Sequence, residues 1–148
     1  MWKIYWDDIK EGDQLQCKDI VFNKEEIIEF GKKYDPQPFH VDEISAEKSI
    51  FKGIIASGLH VMSACTKVIA ETQKEYAIHC GLGLHEAKIY NPVRPRDTIK
   101  VEAKWSELLK TSNNPDRGIA KLKCKAFNQN GDLIIEYGYT YLMARRNT

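Results

Sequence analysis

The sequence predicts an α+β architecture in which one antiparallel sheet of five or six strands wraps a single long apolar helix. Three observations carry that expectation. Gly58 to about Tyr76 is the longest helical pattern in the chain, and its polar residues are confined to one narrow stripe. From Leu84 onward the chain reads almost entirely as strand. Two of those strands alternate apolar and charged residues cleanly, which marks an antiparallel sheet with one covered face.

Met1 to Gly12 mixes aromatic and acidic residues, and Glu11-Gly12-Asp13 turns into a first strand over Leu15 to Val21. Asn23 then opens a helix: Asn23 is the N-cap, Glu26 stands at the capping-box position, and Phe22 with Ile27 forms a hydrophobic staple. Ile27, Ile28 and Phe30 supply its buried side, and Gly31 with the following Pro36 ends it. In Asp35-Pro36-Gln37-Pro38-Phe39-His40 the two prolines forbid a helix and hold the residues before them extended, so Asp35 and His40 bracket a stiff loop. Asp42 or Ser45 caps a short helix reaching Phe51. Ser57 is the N-cap of the long helix and leaves the Gly58 amide free to point at a ligand oxygen, a candidate oxyanion site. At 1.5 Å per residue that helix is roughly 27 Å long. His60, Ser63, Lys67, Glu71 and Lys74 form its polar stripe, while Leu59, Val61, Met62, Cys65, Val68 and Ile69 cover the other directions. The strands that follow are Leu84 to Tyr90, Ile99 to Ser106, Ile119 to Phe127 and Leu133 to Met143. Ile99, Val101, Ala103 and Trp105 oppose Lys100, Glu102 and Lys104, and Ala120, Leu122, Cys124 and Ala126 oppose Lys121, Lys123 and Lys125. Asn130-Gly131 signals a hairpin between the last two strands. Lys110 to Arg117, rich in Ser, Asn and Pro, is the one extended loop.

The 148 residues, 43% hydrophobic and 29% charged, suffice for one domain over residues 1–148 with its own core. The net charge is +1 and the basic residues are interleaved with acids, so no field selects nucleic acid or an anionic membrane. A small-molecule or protein partner is expected instead. Cys17, Cys65, Cys80 and Cys124 lie far apart with no CxxC, and the first residues lack the basic start and apolar core of a signal peptide, which implies reduced thiols and a cytoplasmic location. The apolar runs are too short to span a bilayer. His79, Cys80 and His85 match no zinc spacing, so no metal is expected. Gly81-Leu82-Gly83 lacks the rest of a dinucleotide fingerprint. Without a Gly-x-Ser-x-Gly elbow, Ser57 reads as a cap and not as a nucleophile.

Four pieces, Tyr34 to Asp42 (Tyr-Asp-Pro-Gln-Pro-Phe-His-Val-Asp), Phe51-Lys52-Gly53, Ile55 to His60 (Ile-Ala-Ser-Gly-Leu-His) and Pro92 to Asp97 (Pro-Val-Arg-Pro-Arg-Asp), occur in this order over most of the chain. Together they resemble the MaoC-like dehydratases, which include the (R)-specific enoyl-CoA hydratases. The resemblance implies the hotdog fold, in agreement with the wrapped helix. It also implies that Asp35 and His40 act as a dyad on one water, which adds across the double bond of an enoyl thioester. A carboxylate can take a proton from water, and an imidazole near neutral pH can exchange one with the α-carbon. The thioester oxygen gains charge as an enolate forms, and the Gly58 N–H at a helix N-terminus is the matching donor. Taken singly, an Asp-Pro pair would start a turn and a lone His would pack at a surface; the combination of motifs favours the dyad.

On the same resemblance the acyl group lies along the central helix, near Ser57, Met62 and Cys65, and the carrier end leaves near Arg94 and Arg96. The substrate is then an acyl thioester of CoA or acyl carrier protein, with no cofactor beyond that carrier. Sheet edges that need covering point to a homodimer or a higher homo-oligomer. Three departures stand out: Gln37 where the hydratases usually have Asn, Arg96 at a turn position where Gly is common, and Leu59 with Ala87 smaller than frequent choices. Positive φ at Arg96 would cost on the order of 1 kcal/mol. The fold alone would also suit an acyl-CoA thioesterase or a silent acyl-binding subunit. The loop sequence favours the hydro-lyase over the thioesterase, and the presence of both Asp35 and His40 speaks against the silent subunit.

Overall fold

Strand alternation in the second half of the chain produces the sheet on which everything else rests. The computed structural model describes residues 1–146. Four long strands, β3 (Ile78–Ile89), β4 (Thr98–Lys110), β5 (Arg117–Phe127) and β6 (Leu133–Ala144), and two short ones, β1 (Gln14–Leu15) and β2 (Ile20–Val21), form one antiparallel sheet. The order is β1-β4-β5-β6-β3, with β2 also paired to β4. The covered face follows the alternation: Ile99, Val101, Ala103 and Trp105 of β4, and Ala120, Leu122, Cys124 and Ala126 of β5, are all buried. The β5–β6 hairpin closes through Asn128, whose side-chain oxygen accepts from the Asn130 and Asp132 amides, and through Gly131 at φ 81°.

Against that face packs α4 (Gly58–Thr72), which buries Val61, Cys65, Val68 and Ile69. They share a core with Phe22, Ile27, Trp105, Leu122 and Met143. Among the described residues no helix is long and apolar enough to cross a membrane.

Several elements differ in extent from the sequence expectation. The single strand expected over Leu15 to Val21 is two short pieces on β4, with Leu15 opposite Ala103 and Ile20 opposite Ile99. The central helix stops at Thr72, where the Gln73 amide bonds the Ala70 carbonyl and a further turn follows to Tyr76. β3 starts at Ile78, earlier than expected, because it is an edge strand broken by three register shifts and little of it is buried. Its pattern has no steady period to read.

The first helix, α1 (Lys24–Tyr34), begins as expected: the Asn23 side chain accepts from the Glu26 amide at 2.8 Å, and Phe22 and Ile27 are buried. Glu26 answers to the Asn23 side-chain amide at 2.9 Å rather than to its backbone. Gly31 does not end this helix, which runs on to Tyr34. It is a place of close approach, since a Cβ there would stand 2.9 Å from Val41 Cγ1 and 3.0 Å from His40 Cβ. The prolines do not exclude a helix either: Pro38 opens one turn, α2 (Pro38–Val41), at the position where its missing N–H and fixed φ are harmless. Asp42 caps α3 (Glu43–Lys48) by accepting from the Ser45 amide, and α3 ends short of Phe51.

Candidate active site

Asp35 is the C-cap of α1, its amide bonded to the Gly31 carbonyl, and His40 lies in α2 five residues further on. Because Gly31 lets α2 pack directly on α1, the two side chains turn toward each other. His40 Nε2 lies 3.5 Å from Asp35 Oδ2. His40 is 5% exposed, and its other ring nitrogen, Nδ1, is 2.7 Å from the Ile55 carbonyl. A carbonyl only accepts, so Nδ1 carries the proton and Nε2 is the nitrogen free to exchange one. The carboxylate is fixed in turn by Ser57, which is fully buried and donates its hydroxyl to Asp35 Oδ2 at 2.6 Å. The same hydroxyl accepts from the Leu59 amide at 3.2 Å. Ser57 is therefore a cap, as its position suggests, and also a clamp on Asp35. The second role could not be read from the chain, since it joins residues 22 apart.

Asp35, His40 and Gly58 open into one cavity of about 670 Å³. Gln37 and Asn91 add polar groups, and Phe39, Phe51, Val61, Val93, Ile134 and Ile135 make most of its wall apolar. Phe39 stands edge-on to His40 at 4.6 Å between ring centres and leans on Phe51 at 5.4 Å. It is a largely apolar cavity into which a few polar side chains, Asp35, Gln37, His40 and Asn91 among them, project. Gly58 begins α4, so its amide belongs to the set with no partner inside the helix.

The other expected substrate contacts are placed elsewhere. Ser57 lies behind Asp35 and not in the cavity wall. Met62 packs partly buried against the core, and Cys65 is 1% exposed within it, where burial pushes its thiol up to about 12. Both sit on α4 as the periodicity requires, but periodicity does not say which apolar flank meets the cavity. Arg94 and Arg96 line a separate hollow of about 540 Å³ with Lys24, Glu43 and Glu47. Arg96 does have positive φ, 74°, and its amide bonds the Phe22 carbonyl at 2.6 Å.

His60 leaves the polar stripe on which its spacing places it. Its ring stacks on Phe30 at 4.8 Å and meets Phe22 edge-on at 4.9 Å, with Nδ1 buried and unpartnered among the described residues. Burial lowers its pKa, opposed by the nearby Glu26 carboxylate. Residues that sequence reasoning missed are Ile55, Phe39, Phe51 and Ile89. Ile55 bonds His40 through its carbonyl, for which no side-chain signal exists; the aromatic pair lies inside the quoted motifs, Phe39 in Tyr34 to Asp42 and Phe51 at the head of Phe51-Lys52-Gly53, but was given no role there.

Residues 9–123 match the family described as the MaoC like domain. The uncharacterized protein YdeM of Bacillus subtilis is 29% identical over 140 residues, covering 94% of this chain and 98% of that one. The crystal structure of the MaoC-like dehydratase from Rhodospirillum rubrum superposes with a TM-score of 0.89 at 28% identity, over 99% of this chain and 100% of that one. The (R)-hydratase PhaJ1 of Pseudomonas aeruginosa shares the fold, with a TM-score of 0.74 at 22% identity over 97% of this chain and 87% of that one. With most of its length matched to the family and its sheet and central helix superposed on a member, the chain belongs to the MaoC-like dehydratase family and has the hotdog fold.

Proposed function

We propose that this protein is a hydro-lyase that adds water to, or removes it from, the 2,3 double bond of an acyl thioester carried on CoA or acyl carrier protein. The observation that carries the reading is the pairing of His40 Nε2 with Asp35 Oδ2 across 3.5 Å, in a largely apolar cavity that Gly58 also lines. In hydration a water held between the two groups attacks C3. Asp35 takes its proton as the C3–O bond forms, and the π electrons move onto the thioester oxygen. The Gly58 N–H stabilises that oxygen, as the positive end of a helix dipole suits developing negative charge. The proton passes from Asp35 to His40 Nε2 and from there to C2 as the enolate collapses. Water is consumed and both groups return to their starting states; dehydration is the reverse. Ser57 keeps Asp35 aimed, and the Ile55 carbonyl keeps His40 in the tautomer that leaves Nε2 for the exchange. The scheme calls for no cofactor beyond the carrier of the substrate.

The purified protein is incubated with short and medium trans-2-enoyl-CoAs while enone absorbance and free thiol are followed together. Loss of absorbance without thiol is expected. Thiol release alone would instead assign a thioesterase, which could use the same carboxylate and helix end. Neither signal would reduce the protein to a silent acyl-binding subunit. The reading includes a homodimer, because β3 is a sheet edge on which Leu82 and Leu84 are each more than half exposed. Light scattering is expected to give at least twice the chain mass of 17.1 kDa.

A further inference from the structure

The last register shift of β3 decides which side chain stands over the start of α4. His85 pairs with Gly138 and Lys88 with Glu136, so three steps on β3 face two on β6. The extra residue is accommodated where Glu86 adopts φ 49°, a left-handed conformation that is unfavourable for a non-glycine residue. Successive strand residues face opposite sides, and one inserted residue reverses every face beyond it. Counting on from His85 without the insertion would bring Lys88 opposite Ile135, on the side that faces the helix. With it, Lys88 faces outward beside Glu136, and Ile89 pairs with Ile135, which is buried.

Ile89 thus reaches the cavity from an edge strand while 64% exposed. A Cβ on Gly58 would overlap Ile89 Cδ1, so the methyl rests in contact with the Gly58 α-carbon. The Cα–Cβ direction in a helix tilts toward its N-terminus, the same end from which the first amides point. Ile89 therefore stands against the first residue of α4, at the end from which the Gly58 amide points.

We infer that Ile89 is a specificity-determining residue that restricts the reaction to acyl thioesters without a substituent at C2. This rests on the reading of Gly58 as the donor to the thioester oxygen. An oxygen held by that amide places C1 and C2 alongside the Ile89 methyl. A hydrogen on C2 fits there, whereas a methyl group must displace Ile89 or lengthen the hydrogen bond. A branched wall of this kind discriminates by about 10- to 200-fold for one carbon in an apolar pocket.

The test compares kcat/KM for trans-2-butenoyl-CoA and its 2-methyl analogue in the parent, Ile89→Val and Ile89→Ala, with melting curves to confirm folding. The intrinsic difference in reactivity between the two thioesters is common to all three proteins and cancels in the ratio. The methyl-to-unbranched ratio is expected to rise at least tenfold in Ile89→Ala and by a smaller factor in Ile89→Val. Ratios unchanged within twofold in folded variants that still hydrate the unbranched thioester would overturn the inference and leave the hydratase reading standing. A parent inactive on the unbranched thioester would overturn both. Because Ile89 is largely exposed, its truncation removes little core; should Ile89→Ala fail to fold, Ile89→Val decides the question with the same ratio.

Discussion

Removing the Ser57 hydroxyl tests the clamp on Asp35 separately from the helix cap. The hydroxyl donates to Asp35 Oδ2 at 2.6 Å and accepts from the Leu59 amide at 3.2 Å, so Ser57→Ala deletes both interactions. A hydrogen bond to a charged group contributes about 1.5 to 3 kcal/mol. At about 1.4 kcal/mol per decade of rate, its loss from a carboxylate that must be aimed at water lowers kcat by about 10- to 150-fold. KM is expected to move little, because Ser57 is not part of the cavity wall. Losing the cap costs about 1 kcal/mol, or about 2 to 4 °C in Tm for a chain of this size. Ser57→Gly separates the two effects: glycine is only a few tenths of a kcal/mol worse as a cap, yet it has no hydroxyl for Asp35. Steady-state hydration of an enoyl thioester and thermal melts are run on all three proteins. Both variants are expected to lose kcat alike and to melt lower for the lost bond to Asp35, with Ser57→Ala lower again by the difference in capping. If both retained parental kcat, Ser57 would be a cap and nothing more, and Asp35 would have to be positioned by other contacts.

Asp35→Asn and His40→Ala are each expected to lower turnover by about 10² to 10⁴-fold with the fold intact, and the double variant to be scarcely worse than either. Nearly additive free energies would show that the two groups serve separate steps. His60, whose pKa is lowered by burial, favours the folded state while neutral. Its contribution is present above about pH 6.5 and is lost as acid protonates the unfolded chain more readily than the folded one. Urea midpoints measured down to pH 5 are expected to fall less steeply in His60→Phe than in the parent, and parallel curves would exclude His60 as the cause. Arg96→Gly relieves a positive φ and is expected to raise stability by about 1 kcal/mol. The same change is expected to weaken CoA thioesters while sparing a truncated thioester lacking the nucleotide; equal effects on both would mark the arginine as structural.

Where a residue's environment follows from its neighbours in the chain, the sequence was sufficient. β5, and β4 as far as Trp105, alternate because one face is buried, and Asn23 and Ser57 cap helices by bonding amides two or three residues away. Contacts made through space were not legible. Periodicity placed His60 on a wet stripe, but Phe22 and Phe30 close over it from another helix and the segment before it. It placed Met62 and Cys65 on an apolar flank without telling core from cavity. The prolines near Asp35 spoke against a helix only because Pro38 at a first position looks, in sequence, like Pro38 at any other. The motif named Asp35 and His40, while the bonds that orient them come from Ser57 and the Ile55 backbone.

Gly31 shows where stability and activity pull in opposite directions in this molecule. Glycine is about 1 kcal/mol less favourable than alanine inside a helix, so any scheme that optimises α1 for helix propensity would choose Gly31→Ala. Yet the added methyl would press on Val41 Cγ1 and His40 Cβ and drive α2 away from α1, opening the 3.5 Å separation on which the proposed proton exchange depends. A residue that never meets the substrate thereby constrains how far this scaffold can be rigidified, and stabilising designs have to leave that one weak point in its helix untouched.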